Sequence, residues 1–218
     1  MTRRTLLSFL GLLLLSFSAR ADEPATGLSS ITVPEGFTVE AASIPGLSSY
    51  PMFMELDEAG NLYTAESTGS DMKAPAMIEN PSFMILRLSD TNNDGIYDSK
   101  TVFADKLTFP MGVLYHQGSV FVSAPPDLVR LKDTNNDGVA DEREVLLTGW
   151  HMRNSASLHG PFLGHDGWLY MTHGRHGYDI TTKEGERLQG EASRIWRCRP
   201  DGTGLERMAG GAFDNPVE

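Results

Sequence analysis

Two hexapeptides of identical sequence, Asp-Thr-Asn-Asn-Asp-Gly, stand at residues 90–95 and 133–138. Read with the residues that follow, each places side-chain oxygens at positions 1, 3, 5 and 9. In the first copy these are Asp90, Asn92, Asp94 and Asp98; in the second, Asp133, Asn135, Asp137 and Asp141. Position 6 is Gly95 or Gly138, where a sharp turn needs glycine. This is the spacing with which calcium, a hard cation, collects carboxylates, amide oxygens and a backbone carbonyl. Glu144 occupies position 12 of the second copy and completes the pattern, whereas the first copy has Thr101 there. Asn, Asp and Gly are also what tight hairpin turns demand, so a calcium loop and a bare acidic turn both fit the same letters.

The flanks exclude an EF-hand. Met84-Ile-Leu-Arg-Leu88 and Thr101-Val-Phe-Ala104 enclose the first copy, and Leu128-Val-Arg-Leu131 and Val145-Leu-Leu-Thr148 the second. These apolar runs are too short for amphipathic helices and rich in β-branched residues, so each copy is expected to join two strands.

The second group able to do chemistry is histidine. Five of the six fall between 151 and 176. A histidine with an ordinary pKa near 6.5 takes up a proton at neutral pH and suits general-base work, and it also serves as a structural hydrogen-bonding group. His173-Gly-Arg-His176 supplies two of the ligands a transition metal needs and nothing nearby supplies the rest, so solvated loop histidines are the expectation there. Asp166 and Asp201, each followed by glycine, mark hairpin turns. Trp150, Trp168 and Trp196 are expected to pack in the core. The single cysteine, Cys198, excludes an internal disulfide and reads as a buried thiol; no C-x-x-C-H motif is present, so no haem is expected in this chain.

The elements that must position these groups come from a repeat. Pro51–Leu56, Glu58-Ala-Gly60 and Leu62–Ala65 give strand, turn, strand; Pro110–Tyr115, Gln117-Gly118 and Val120–Ser123 repeat it. His159–Gly164, His165-Asp-Gly167 and Trp168–Thr172 repeat it again, and each pair is followed by a third strand, a polar turn and a fourth. In the last unit these are Arg194–Arg197, Pro200–Gly204 and Leu205–Met208. Unit starts at Pro51, Pro110, His159 and Pro216 lie 59, 49 and 57 residues apart. Four short strands per repeat of this length predict an all-β fold, a β-propeller of four-stranded blades. About three blades of an expected six fit in 33–218, so the chain is expected to be the amino-terminal part of a longer propeller. No convincing amphipathic helix is expected, and Thr68–Pro81 reads as a long loop.

Residues 1–21 have the form of a signal peptide: Arg3 and Arg4, an apolar run from Leu6 to Phe17, then Ala19-Arg-Ala21. An exported protein, periplasmic or extracellular, is expected, with 22–32 as a linker and no membrane span after cleavage. Loss of Arg3, Arg4 and Arg20 takes the net charge from −11 to −14. A surface that acidic repels nucleic acid.

The stretches PEGFTVE, LSDTNNDGIYD, LKDTNNDGVADE, FADKLTFPMGV and LHGPFLGHDGWLYMTHG together resemble exported, membrane-bound-type dehydrogenases of planctomycete-type bacteria. Those proteins carry a propeller similar to the soluble glucose/sorbosone quinoprotein dehydrogenases, often followed by a cytochrome c domain. The resemblance runs from about Val33 to the end of the chain. It implies a sugar or alcohol substrate, pyrroloquinoline quinone as cofactor, a cytochrome c electron acceptor, His159 as general base and Asn215 as a quinone-binding residue. Leu158 stands where the quinoproteins have an acid, and Asp214 where they have an arginine. A non-catalytic propeller that binds a polysaccharide or protein partner is the competing expectation.

Overall fold

A computed structural model describes residues 27–154, 157–191, 193–211 and 214. Residues 27–41 group apart from a compact unit that begins at Ala42. In the first group a 3-10 turn, Gly27–Ser30, is closed by the Ser30 hydroxyl on the Gly27 carbonyl at 2.7 Å. The expected signal peptide lies outside the described residues.

The unit from Ala42 onward is built of antiparallel sheets whose strands follow chain order. The first sheet is β1 (Pro51–Leu56), β2 (Leu62–Glu66), β3 (Phe83–Ser89) and β4 (Ser99–Leu107). The second is β5 (Val113–His116), β6 (Ser119–Ala124), β7 (Asp127–Lys132) and β8 (Glu142–Thr148). The third opens with β9 (Leu158–Leu163) and β10 (Leu169–His173). It is then interrupted by a separate hairpin, β11 (Tyr178–Thr181) and β12 (Arg187–Gly190), and completed by β13 (Ser193–Cys198) and β14 (Glu206–Gly211). All twelve sheet strands foreseen from the repeat are present. The inserted hairpin is not foreseen, nor is the six-residue helix α1 (Ala74–Glu79), which has Pro75 in its first turn and lies inside the expected long loop. Pro at a helix start is favourable because its missing N–H would have had no partner there.

Alternation along the strands buries one face of each sheet against the next. Tyr63, Ala65, Ile85 and Phe103 of the first sheet pack on Val113, Val120, Val122 and Val129 of the second. Phe121, Leu128 and Leu147 of the second join Leu158, Met171 and Trp196 of the third. The hairpin β11–β12 adds Tyr178, Ile180 and Leu188 to that second core, which explains why so short an insertion forms strands. Trp150 and Trp196 meet edge to face at 5.9 Å, and Tyr178 meets Trp196 in the same way at 4.8 Å. Cys198 is buried beside them, and burial pushes its thiol up to about 12. Trp168 differs: it is half-buried and carries the guanidinium groups of Arg197 and Arg199 at 4.5 and 4.7 Å from its ring.

The first strands of the three sheets lie side by side, β5 touching both β1 and β9. Where β9 meets the start of β5 the backbones are in direct contact: Gly160 donates to the Met111 carbonyl at 3.2 Å. A Cβ at Gly112 would collide with the Gly160 carbonyl, so glycine is required for that approach. Among the described residues no helix is long and apolar enough to cross a membrane.

Candidate functional site

At one end of the sheets lie the β1–β2, β5–β6 and β9–β10 turns and both acidic loops; at the other lie His159, His173 and His176.

The acidic loops join β3 to β4 and β7 to β8, and they close on themselves in the same way. Asp90 accepts the Gly95 amide and Asp133 the Gly138 amide, both at 2.8 Å. Asn92 accepts the Asp94 amide and Asn135 the Asp137 amide, both at 2.9 Å. Asp94 and Asp137 accept the amides of Ile96 and Val139. Asp98 is held below the usual carboxylate range by the Thr91 amide and then the Thr91 hydroxyl. Asp141 is lowered likewise by the Thr134 hydroxyl and then its amide. Each bonded oxygen keeps a further lone pair, so these bonds shape the loop without exhausting its acceptors. Among the described residues no three His, Cys, Asp or Glu side chains form a metal-holding group.

Position 12 departs from the expected ligand pattern. Glu144 sits on β8 directly across from Arg130 of β7, and its carboxylate is bound by Arg130 and by Lys183 at 3.0 Å. Lys183 and then Arg130 pull its carboxyl below the usual range. Two cations hold this side chain on the sheet, away from the loop it was expected to complete. In the first repeat the corresponding arginine is Arg87, and the residue across from it is Thr101. Arg87 forms no ion pair with a described carboxylate.

That arginine lines a cleft of about 490 Å3 between the first and second sheets at the turn end. Tyr63 and Tyr115 stack there at 5.6 Å, and Arg87 reaches the Tyr63 hydroxyl. Burial, more than its charged neighbours, pushes the Tyr63 phenol up to about 12, so it stays a neutral donor. Lys132 and Asn136 stand at the same cleft. Its walls come from five separated segments, which hides it from a reading of the sequence. The available signal was an arginine inside the apolar run Met84–Leu88, repeated at Arg130.

At the opposite end His159 lies on β9, opposite Thr172 of β10. It is 1% exposed. Gly160 is pressed against Gly112 and the Phe162 ring. His173 is 0% exposed, and its pKa is lowered to about 4, first by burial and then by His176, His151 and His159 nearby. It is therefore neutral at pH 7. His176 is also buried and bonded through Nε2 to the Asn154 amide oxygen at 2.7 Å. Its pKa too is lowered, by burial and then by Arg175 and Arg153. The expectation of solvated histidines at 173 and 176 is thus wrong: closing the end of the third sheet buries both. His165 is exposed in the β9–β10 turn. Arg175 pairs with Asp214 at 3.0 Å. Asn215, the expected quinone-binding residue, lies outside the described residues.

An all-β chain of repeated four-stranded antiparallel sheets, with a polar cleft at one end and buried histidines at the other, is the class these observations define. The chain belongs to the family described as Domain of unknown function (DUF7133), which matches residues 23–214. No curated protein matches the sequence.

Proposed function

We propose that the three sheets are successive blades of a β-propeller and that the chain is a binding module of an exported protein, taking a polysaccharide, and not a dehydrogenase. The adjacent first strands β1, β5 and β9 support the propeller reading, because blades pack with their first strands around an axis. The amino-terminal signal-like segment supports export. The two acidic loops are read as calcium sites, with Asp90, Asn92, Asp94 and Asp98 in the first and Asp133, Asn135, Asp137 and Asp141 in the second.

The observation that carries the non-catalytic reading is the burial of His159. A general base must come within about 2.6–3.2 Å of the proton it removes, and a side chain 1% exposed behind packed backbone offers no such approach. The described residues do not fit pyrroloquinoline quinone either. The backbone beside His159 is occupied by Gly112, and the cation near Asp214 is already neutralised by it. No step is derived through that cofactor.

The test is a dye-reduction assay of the full chain with added quinone and calcium, over a panel of sugars and alcohols, run beside binding measurements on polysaccharides. Retention of polysaccharide with no reduction is the expected result. Quinone-dependent reduction lost in His159→Gln and kept in His165→Gln would restore the dehydrogenase reading. A chain that ignores polysaccharides and captures a protein ligand would replace the partner class.

A further inference from the structure

We propose that the cleft between the first and second sheets binds an acidic sugar, a hexuronate unit, with Arg87 receiving its carboxylate. This rests on the polysaccharide-binding reading above and assigns it a site and a ligand class.

Arg87 and Arg130 each stand three residues before their hexapeptide, on equivalent third strands. Arg130 is neutralised because the residue across from it is Glu144. Arg87 faces Thr101, which carries no charge, and it forms no ion pair with any described carboxylate. Of the other strand arginines, Arg187 and Arg197 are, like Arg130, each paired with a carboxylate of the neighbouring strand, while Arg143, Arg194 and Arg207 bond carbonyl or hydroxyl oxygens. In a protein of net charge −11, a guanidinium beside a cavity whose bonded partner is the neutral Tyr63 hydroxyl, and not a carboxylate, calls for an anionic guest.

The cavity decides which anion. Its volume of about 490 Å3 suits a small organic molecule better than a bare ion. The planar guanidinium presents two parallel donors to a carboxylate. Lys132 stands on the same cleft with no ion pair to a described carboxylate, and the Asn136 amide adds donor and acceptor groups for hydroxyls. The acids of the cleft do not compete for Arg87. Asp57 spends its oxygens on the amides of Ala59 and Asn61 and on the Asn61 side chain. Asp133 accepts the amides of Asp137 and Gly138, which hold it in its own loop, and it forms no ion pair with Arg87. The stacked Tyr63–Tyr115 pair gives the wall an aromatic surface, which a sugar's C–H groups require.

The experiment is calorimetric titration of the full chain with galacturonate, galactose and acetate. Galacturonate is expected to bind at least about tenfold more tightly than either of the others, since each lacks one half of what the cleft recognises. Arg87→Gln should lower galacturonate affinity at least about tenfold. Thr101→Glu should do the same with Arg87 still present, because it builds into the first repeat the carboxylate that neutralises Arg130 in the second. Denaturant midpoints like the parent's in both variants rule out misfolding as the cause. Galactose binding as tightly as galacturonate, acetate binding as tightly, or either variant binding like the parent would overturn the proposal. If polysaccharides are still retained by Arg87→Gln, this site fails while the binding reading stands. Quinone-dependent reduction would defeat the binding reading and leave the titration as an independent result.

Discussion

The two acidic loops share six letters and one internal hydrogen-bond pattern, yet the molecule uses them differently. The first, on the β3–β4 connection, meets only short segments around it: Tyr97 pairs with the backbone of Ala42 and Ile44 and donates its hydroxyl to the Gly60 carbonyl. The second, on β7–β8, leans against the first sheet, where Ala140 donates to the Phe103 carbonyl at 2.8 Å and Gly138 lies over Arg87 and Thr101. Only the second lines the cleft. Position 12 reverses the asymmetry: Glu144 neutralises the second repeat's arginine, and Thr101 leaves the first repeat's arginine unpaired. Identical local sequence therefore sets an identical loop shape. The neighbour on which the loop lands sets what it contributes.

The largest expected effect tests whether both loops are cation sites. Calcium at a hundredfold excess over its dissociation constant should stabilise the chain by about 2.7 kcal/mol per site, read as a rise in Tm that chelator reverses. Asp137→Ala should remove the second loop's share and Asp94→Ala the first's. Glu144→Gln should leave the rise intact, because Arg130 and Lys183 already hold that carboxylate on the sheet. A Tm indifferent to calcium and to chelator would reduce both loops to turns.

A smaller effect separates the loops by their surroundings. Gly95 and Gly138 both have φ of +89°, where any side chain is strained. Gly95→Ala meets open space and should cost about 1 kcal/mol from the backbone alone. Gly138→Ala adds a Cβ about 3.0 Å from the Arg87 guanidinium and should cost about 2 kcal/mol. Denaturant midpoints of the two variants measure the difference, and equal losses would show that the second loop's packing is not under tension.

The smallest effect should be the same in both loops. Asp98 and Asp141 are lowered by equivalent bonds from Thr91 and Thr134. NMR titration should find both carboxyls below the ordinary aspartate value of about 3.9. A lowered folded pKa means that the contribution is present above the ordinary value and is lost as pH falls through the lowered one. Unequal values would show that the loops differ even in their internal bonding.

Period-two alternation and Gly-centred turns make the strand–turn–strand units legible in the sequence, since these signals lie within a few residues of each other. Trp150 and Trp196 are legible as core because a large apolar ring has few other places to go. The hairpin β11–β12 is not: Tyr178-Asp-Ile-Thr181 is too short to announce itself, and it forms strands only because Tyr178, Ile180 and Leu188 find the Trp196 core. The place of His159 on the first strand of the third sheet can be read from the repeat, but its burial is hidden. Exposure there depends on Met111 and Gly112, nearly fifty residues earlier in the chain.

What the sequence determined alone is what short range can enforce. It set the loop shape from Asx hydrogen bonds and glycine at position 6, the sheet strands from alternation, and the surplus of negative charge. What the tertiary structure decided is which groups face each other. Glu144 went to Arg130 and not to its loop, Arg87 went to a cleft shared with Tyr115, and His173 went into a core that keeps it neutral. Each of these is a pairing across separated strands or sheets. Its energy depends on distances that no local pattern encodes, because the register between sheets is set only when their faces are packed.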